Sequence, residues 1–243
     1  MTPNEQLDLS EHLEELRKRL VVVIVSFAAF ALLSFFFSGS LVSVLTWPIR
    51  MKVANLYFFT PYEPFLVKLK IAVAGGMVLS APIILYQLWS FVSPGLYWKE
   101  KKWIVPAALI STLLFASGAL FAFAVVLPLA LEFFLSFRTG DLVPLISIES
   151  YISFLLSLVL VFGIVFDFPL IVIGLVYFRV IGTPFLVRQR KTMIVIIFIL
   201  AAVLTPTVDI VTQCLLAVPL WLLYEGAVLV GQRIECRKGR SGA

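Results

Sequence analysis

The hydrophobic and polar positions of the chain alternate in long blocks, and these blocks predict membrane-spanning helices. Four apolar runs are long enough to cross a hydrocarbon core of about 30 Å, which requires roughly 20 helical residues. These runs are Leu20–Phe37, Ile71–Val92, Ile104–Leu129 and Tyr151–Tyr177. The third run can continue into the polar segment that follows it.

The last apolar region is different, because the polar turn 205–209 divides it into Met193–Leu204 and Ile210–Val230. A helix over Met193–Leu204 would be only roughly 18 Å long, at about 1.5 Å per residue. Such a region forms either a re-entrant hairpin or two short spans. Basic residues on both flanks favour two short spans, so we predict six transmembrane helices, the last two of them short.

Two polar segments lie beside the first span. In residues 1–19, Asp8 is a predicted helix cap with Glu11 three residues on, and leucines follow at helical spacing. We therefore expect a short amphipathic helix on the membrane surface before the first span. Segment 38–68 is a predicted loop, in which Leu41–Trp47 is apolar but too short to cross and is expected to lie at the interface.

The composition supports a membrane protein. Hydrophobic residues make up 61% of the 243 positions and charged residues only 14%, against about 25% charged residues in soluble domains. Mean hydropathy is +1.07. These values exclude soluble and disordered chains, and they predict a single membrane domain over 1–243. Its parts would be an amphipathic N-terminus (1–19), a six-helix region (20–230) and a basic tail (231–243).

The distribution of basic residues predicts the orientation. With six spans and the N-terminus inside, 14 of the 19 Lys and Arg residues fall in cytoplasmic segments. This excess predicts that both termini are cytoplasmic. Because orientation accounts for most of the net charge of +5, we do not infer a nucleic-acid partner.

Motifs of enzymes and of metal or nucleotide sites are missing from the sequence. It has no phosphate-binding loop, no H-E-x-x-H and no G-x-S-x-G. His12 is the only histidine, and Cys214 and Cys236 form no C-x-x-C pair. We predict neither enzymatic activity nor a metal or cofactor.

Asp167 lies in the middle of the fourth predicted span, beside Pro169. A charged residue at a span centre costs about 2.5–3.5 kcal/mol on insertion scales, and proline favours a kink. Asp167 is therefore either a functional intramembrane acid or a protonated side chain bonded to a neighbouring helix.

Other polar residues lie near the last two spans. Asp209 is a predicted N-cap of the final helix. Thr205 and Gln213 are candidates for hydrogen bonds to a partner helix. Glu225 is expected to snorkel or to pair with Arg233.

Glu15 and Glu100 are the notable acids of the cytoplasmic segments. Glu15 can form an i,i+4 pair with Arg19, as Glu14 can with Lys18. Glu100 lies among lysines that can neutralise it. From spacing alone, both glutamates are either ligand-binding groups or surface charges.

The sequence resembles the TatC family, the core subunits of the twin-arginine protein translocase, because several short motifs of that family occur in it in the same order. The first is His12-Leu13-Glu14-Glu15-Leu16-Arg17-Lys18-Arg19-Leu20, which is similar to H-L-x-E-L-R-x-R-L. The later matches cover nearly the whole chain and include Pro48, Thr60–Phe65, Ser80–Gln87, Phe91, Pro94, Glu100, Phe166–Pro169, Leu204–Pro206, Gln213 and Tyr224–Glu225.

The resemblance implies a receptor for twin-arginine signal peptides. Glu15 and Glu100 match the two family glutamates that receive the arginines, and Leu16, Arg17 and Phe91 belong to the same cytoplasmic site. It also implies six helices in a curved, cupped shape in a prokaryotic inner membrane, with both termini inside. Self-association and transport of folded cargo driven by the proton-motive force are further implications.

The resemblance also assigns the intramembrane residues. Asp167 matches an acid that faces the concave side, where the family usually has Glu, and Asp209 belongs to the turn in which Val208 replaces a common Pro. Thr205 and Gln213 match the cluster on which single-span partners of the TatA or TatB type dock. The expected structural prolines are Pro48, Pro94, Pro169 and Pro206.

A second hypothesis is a proton-coupled small-molecule transporter in which Asp167 titrates. Such carriers commonly have repeated halves with matching broken helices, and no convincing repeat is visible in this sequence. The receptor is therefore the favoured prediction.

Overall fold

The computed structural model describes residues 3–53, 55–92, 104–137, 145–177, 181–204 and 210–240. These residues form ten α-helices, one π-helical turn and one isolated β-bridge. The helices are α1 (Pro3–Phe36), α2 (Ser38–Arg50), α3 (Glu63–Val92), α4 (Ile104–Phe121), α5 (Leu127–Ser136), α6 (Ile148–Phe166), α7 (Phe168–Tyr177), α8 (Thr183–Arg188), α9 (Arg190–Leu204) and α10 (Ile210–Arg240).

Five helical stretches are long and apolar enough to cross a membrane, which confirms the predicted all-α polytopic class. They are Leu13–Phe36, Glu63–Phe91, Ile104–Ser136, Ile148–Tyr177 and Thr212–Arg233. Helix α9, the fifth of the six predicted spans, has 15 residues and is roughly 22 Å long at about 1.5 Å per residue. The count of six spans stays a prediction.

The expected separate surface helix at the N-terminus is wrong. Helix α1 runs without a break from Pro3 to Phe36, through the polar segment and the first span. No Gly or Pro lies between Asn4 and Phe36, so the sequence contains neither of the residues that most readily end a helix.

The predicted loop 38–68 is also largely wrong, because most of it is helical. Helix α2 extends to Arg50 and keeps the buried Pro48 near its end. Helix α3 begins at Glu63 rather than near Ile71. Glu63 is favourable in the first turn because its negative charge complements the helix dipole. Pro64 is also favourable there, because the N–H that proline lacks would have no partner within the helix.

Contacts divide the chain into two compact units, Met1–Val44 with Tyr62–Leu113 and Leu45–Pro61 with Leu114–Ala243. In the first unit α1 and α3 pack antiparallel. A Cβ atom added to Gly76 would lie 2.7 Å from Ala31 Cα, and one added to Gly75 would lie 2.7 Å from Ser34 Oγ. The two glycines therefore permit a backbone approach that side chains would prevent.

The second unit contains a reciprocal glycine contact between α4 and α6. A Cβ on Gly118 would lie 2.4 Å from the Phe162 carbonyl oxygen, and one on Gly163 would lie 2.7 Å from the Phe115 ring. After α4, residues Ala122–Val126 form a π-helical turn. Pro128 follows this turn and lacks the N–H that regular helix geometry would use, which accounts for the local change in the hydrogen-bond pattern.

Polar contacts join the segments around α2 within this second unit. The Tyr151 hydroxyl donates to the Leu45 carbonyl at 2.8 Å, and Lys52 Nζ lies 3.4 Å from Glu132 Oε2. The backbone of Tyr57 exchanges two hydrogen bonds with Ile146 and Ile148. These bonds fix the segment before α6.

The fourth predicted span is interrupted at Asp167, as the neighbouring proline predicts. Helix α6 ends at Phe166 and α7 begins at Phe168, with Pro169 buried in the first turn of α7. The Asp167 carbonyl accepts from the Leu170 and Ile171 N–H groups. The missing donor of Pro169 is the physical cause of the interruption.

The final helix is longer than predicted. Helix α10 contains 31 residues, so it is not short, and the basic tail continues it as far as Arg240. The Glu235 carboxylate supplies a reason, because it accepts from the Thr183 N–H at 3.1 Å and from the Thr183 hydroxyl. This bond caps α8 and ties the polar end of α10 to it.

We predict that Gly76→Ala lowers the thermal stability of the detergent-purified protein. The added methyl group would push α1 away from α3, and overpacking of this kind costs about 1–3 kcal/mol. The matched control is Gly226→Ala in α10, since nothing lies within 4 Å of a Cβ at that position. An unchanged unfolding midpoint for Gly76→Ala would show that the close approach of α1 and α3 is not required.

Candidate functional site

A carboxylate, a guanidinium and an amide meet where α1 and α3 pack together in the first unit. Arg19 donates through Nε to Glu15 Oε1 at 3.1 Å and through Nη2 to the same oxygen at 2.5 Å. Its third contact is from Nη1 to Gln87 Oε1 at 3.0 Å. The Glu15 side chain is 36% exposed and the Arg19 side chain 21%, so the cluster is accessible but partly shielded from water.

The predicted i,i+4 pair of Glu15 with Arg19 is thus confirmed, but sequence spacing did not reveal Gln87. A hydrogen bond across 68 positions depends on the register of α1 against α3, which no local pattern encodes.

Three more of the predicted site residues lie near this cluster. Leu16 and Arg17 are exposed on α1, and Phe91 is half-buried one turn beyond Gln87 on α3. Because α1 and α3 are antiparallel, with Arg19 bonded to Gln87, the register puts Phe91 level with Glu15. Glu100 and Pro94 lie outside the described residues.

Glu14 provides a contrast to its neighbour. Its side chain is 75% exposed, and its Oε2 lies 4.0 Å from Lys18 Nζ. An exposed pair of this kind contributes little to stability. Of the two adjacent glutamates, Glu15 therefore lies in a hydrogen-bonded cluster, and Glu14 lies on an exposed surface.

The chemistry of the cluster suits a guanidinium. A carboxylate and an amide oxygen accept from the several N–H groups that arginine presents in a fixed plane. An ammonium group offers a single point of attachment and matches this arrangement less well. Glu15 and Gln87 together hold the guanidinium of Arg19 in this way.

Of the predicted intramembrane residues, Asp167 and Gln213 are described, and both belong to the second unit. Asp167 is 7% exposed at the junction of α6 and α7, next to Pro169. Gln213 donates through Nε2 to the Phe198 carbonyl at 2.8 Å, which joins α10 to α9. Thr205, Pro206 and Asp209 lie outside the described residues.

The expected pair of Glu225 with Arg233 is wrong. Glu225 instead accepts from Arg190 Nη2 at 2.9 Å, while its neighbour Tyr224 donates to the Leu186 carbonyl at 2.7 Å. A cation one helix away is better placed because α9 and α10 run antiparallel and bring Arg190 to the level of Glu225. Among the described residues, no group of three or more His, Cys, Asp or Glu side chains could hold a metal ion.

Comparison with known proteins shows the family of this chain. Residues 11–219 match the family described as "Sec-independent protein translocase protein (TatC)". The chain belongs to the TatC family. The TatC protein of Aquifex aeolicus is 41% identical over 236 residues, covering 96% of this chain and 98% of its own length. The TatC of Carboxydothermus hydrogenoformans is 37% identical, with 96% of each chain covered.

Two solved structures of the family have the same fold. One is a crystal structure described as the twin-arginine translocase receptor TatC in DDM, with a TM-score of 0.83, 41% identity, and 90% of this chain and 99% of that chain covered. A second structure of the TatC receptor gives a TM-score of 0.82 at 40% identity, with 92% and 99% covered. This TatC-family chain is therefore a multi-pass membrane component of the twin-arginine translocase.

Gln213→Leu is predicted to lower the thermal stability of this TatC-family protein. The change removes the bond to the Phe198 carbonyl, and such bonds between membrane helices contribute about 0.6–2 kcal/mol. The control is Thr192→Val, which removes a hydroxyl that bonds to Gln189 three residues away. If both variants melted like the unchanged protein, the bond between α9 and α10 would contribute nothing to stability.

Proposed function

We propose that this chain is the receptor subunit of the translocase and that Glu15 and Glu100 bind the two arginines of a twin-arginine signal peptide. Membership of the TatC family supplies the translocase role. The observation that carries the proposal is that Glu15 already accepts two N–H groups from a guanidinium, that of Arg19. A peptide arginine would find the same acceptor.

The residues around Glu15 fit the rest of such a ligand. Leu16 is 41% exposed, and Phe91 lies at the same level on α3, so apolar surface adjoins the carboxylate. We infer that Arg17 belongs to the same surface. Its positive charge would repel a basic peptide unless the arginines of that peptide reach the carboxylates. The apolar part of the signal peptide would continue into the bilayer.

The remaining steps are proposed from family membership. Single-span partners of the TatA or TatB type would dock near Thr205 and Gln213, and several copies of the chain would assemble with them. The proton-motive force would then drive folded cargo across the membrane. In this proposal the membrane is the prokaryotic inner membrane, and both termini face the cytoplasm, in accord with the excess of basic residues there.

Asp167 and Asp209 are proposed to act after signal-peptide binding. The burial of Asp167 beside a helix interruption supports this assignment, since acids within a membrane span are usually functional. The proton-coupled carrier would use the same carboxyl group, but no observation on the described residues favours it over the receptor.

Glu15→Gln is expected to weaken binding of a fluorescent twin-arginine peptide by about tenfold or more, because hydrogen bonds to a charged group are worth about 1.5–3 kcal/mol. The measurement is fluorescence anisotropy with detergent-purified protein. The same loss is expected for Glu100→Gln, and a peptide with Lys-Lys in place of Arg-Arg should bind weakly to the unchanged protein.

Glu14→Gln is the matched control, because it removes the same charge one position away from a side chain that is 75% exposed. Equal losses for the Glu14 and Glu15 variants would indicate a general charge effect. Equal affinity for the two peptides would reject the receptor site.

Asp167→Asn is expected to keep the fold and the affinity for the twin-arginine peptide while reducing export of a folded reporter in cells. Pro169 sets the helix interruption, so the amide should be accommodated with little loss of stability. Peptide binding, thermal unfolding and reporter export are the three measurements. Normal export by Asp167→Asn would remove this carboxyl group from the mechanism and would also argue against the carrier.

A further inference from the structure

Arg19 occupies the carboxylate that the proposed function assigns to a signal-peptide arginine. Its three hydrogen bonds to residues that the structure describes stay within the cluster, two to Glu15 Oε1 and one to Gln87 Oε1. The neighbouring cations do not share this position, since Arg17 is exposed and the Lys18 side chain is 81% exposed. Arg19 is thus set apart from its neighbours by its partners and its burial.

We propose that Arg19 is an internal competitor for the Glu15 site and that Gln87 is the positioning residue that retains Arg19 when a peptide arginine displaces it. This inference rests on the proposed function. In the unliganded state the Arg19 guanidinium fills the site. On binding, the peptide guanidinium takes over the bonds to Glu15, and Arg19 keeps its bond to the neutral amide of Gln87.

The exchange explains why a peptide arginine binds better than a peptide lysine, because either one must compete with Arg19 for Glu15. One guanidinium replaces another, so the number of charge-assisted hydrogen bonds to Glu15 is conserved. A lysine ammonium lacks the planar pair of donors that Arg19 presents through Nε and Nη2. It therefore displaces Arg19 poorly, and the peptide must carry arginine to bind well.

An ordinary surface pair would behave differently. An i,i+4 pair that only supports its own helix stabilises that helix weakly, and its loss should not change which peptide is preferred. The bond from Arg19 to a second helix is what distinguishes this cluster. Removal of Arg19 should leave Glu15 unoccupied and open to any cation.

The test is a titration of twin-arginine and twin-lysine peptides against Arg19→Gln, with Lys18→Gln as the matched loss of charge. Arg19→Gln should tighten twin-arginine binding by about threefold or more, the order expected for release of a partly exposed pair. It should tighten twin-lysine binding further, so that the preference for arginine narrows. Arg19→Lys keeps the charge without the planar fork and should give an intermediate result.

A second comparison isolates Gln87. Gln87→Leu should weaken twin-arginine binding when Arg19 is present and have no effect in the Arg19→Gln background, because Gln87 acts only through Arg19. Thermal unfolding of each variant identifies any change that comes from misfolding. A Gln87→Leu effect that is equal in both backgrounds would overturn its assignment as a positioning residue.

The proposed competition by Arg19 and the proposed receptor site at Glu15 can be rejected separately. One outcome would reject only the competition by Arg19: Glu15→Gln abolishes the arginine preference, but Arg19→Gln leaves binding unchanged or weakens it. The proposed receptor site at Glu15 would then remain supported. If Glu15→Gln changes nothing, both proposals fall.

Discussion

A hydrocarbon core offers no hydrogen-bond partner to a polar group, and most of this architecture follows from that constraint. Backbone groups in the apolar segments are satisfied within helices. Side chains then bond across helix pairs, as Trp89 does to Ser111 at 2.8 Å in the first unit and Gln213 to the Phe198 carbonyl in the second. Trp89 and Gln213 therefore connect neighbouring helices and restrict their register, whereas Ser26 and Thr112 bond to carbonyls of their own helices.

Close packing supplies the rest of the cohesion, because apolar helices gain little from the hydrophobic effect when lipid is equally apolar. Gly76 lets α3 approach α1, while Gly118 and Gly163 do the same for α4 and α6. Both crossings are made by small residues facing backbone or aromatic rings. The α1–α3 crossing also fixes the pairing of Arg19 with Gln87, so the geometry of the candidate site depends on Gly75 and Gly76 farther along α3.

Sequence reasoning succeeded where a local cause was sufficient. The apolar runs located the long spans, Pro169 predicted the interruption at Asp167, and i,i+4 spacing predicted the pair of Glu15 with Arg19. It failed where the cause was distant or was the absence of a signal. The unbroken α1 reflects a lack of helix-ending residues, while Gln87, Arg190 and Glu235 find partners that only tertiary packing brings near.

The cap of α8 also bears on the order in which the molecule can be built. Its acceptor, Glu235, lies 52 positions after Thr183, so a ribosome synthesises α9 and most of α10 before that carboxylate exists. Until then, the Thr183 N–H at the start of α8 lacks this acceptor. The connection between α7 and α9 can therefore reach its finished form only after Glu235 has been synthesised, so the first turn of α8 is completed by a residue from a later helix.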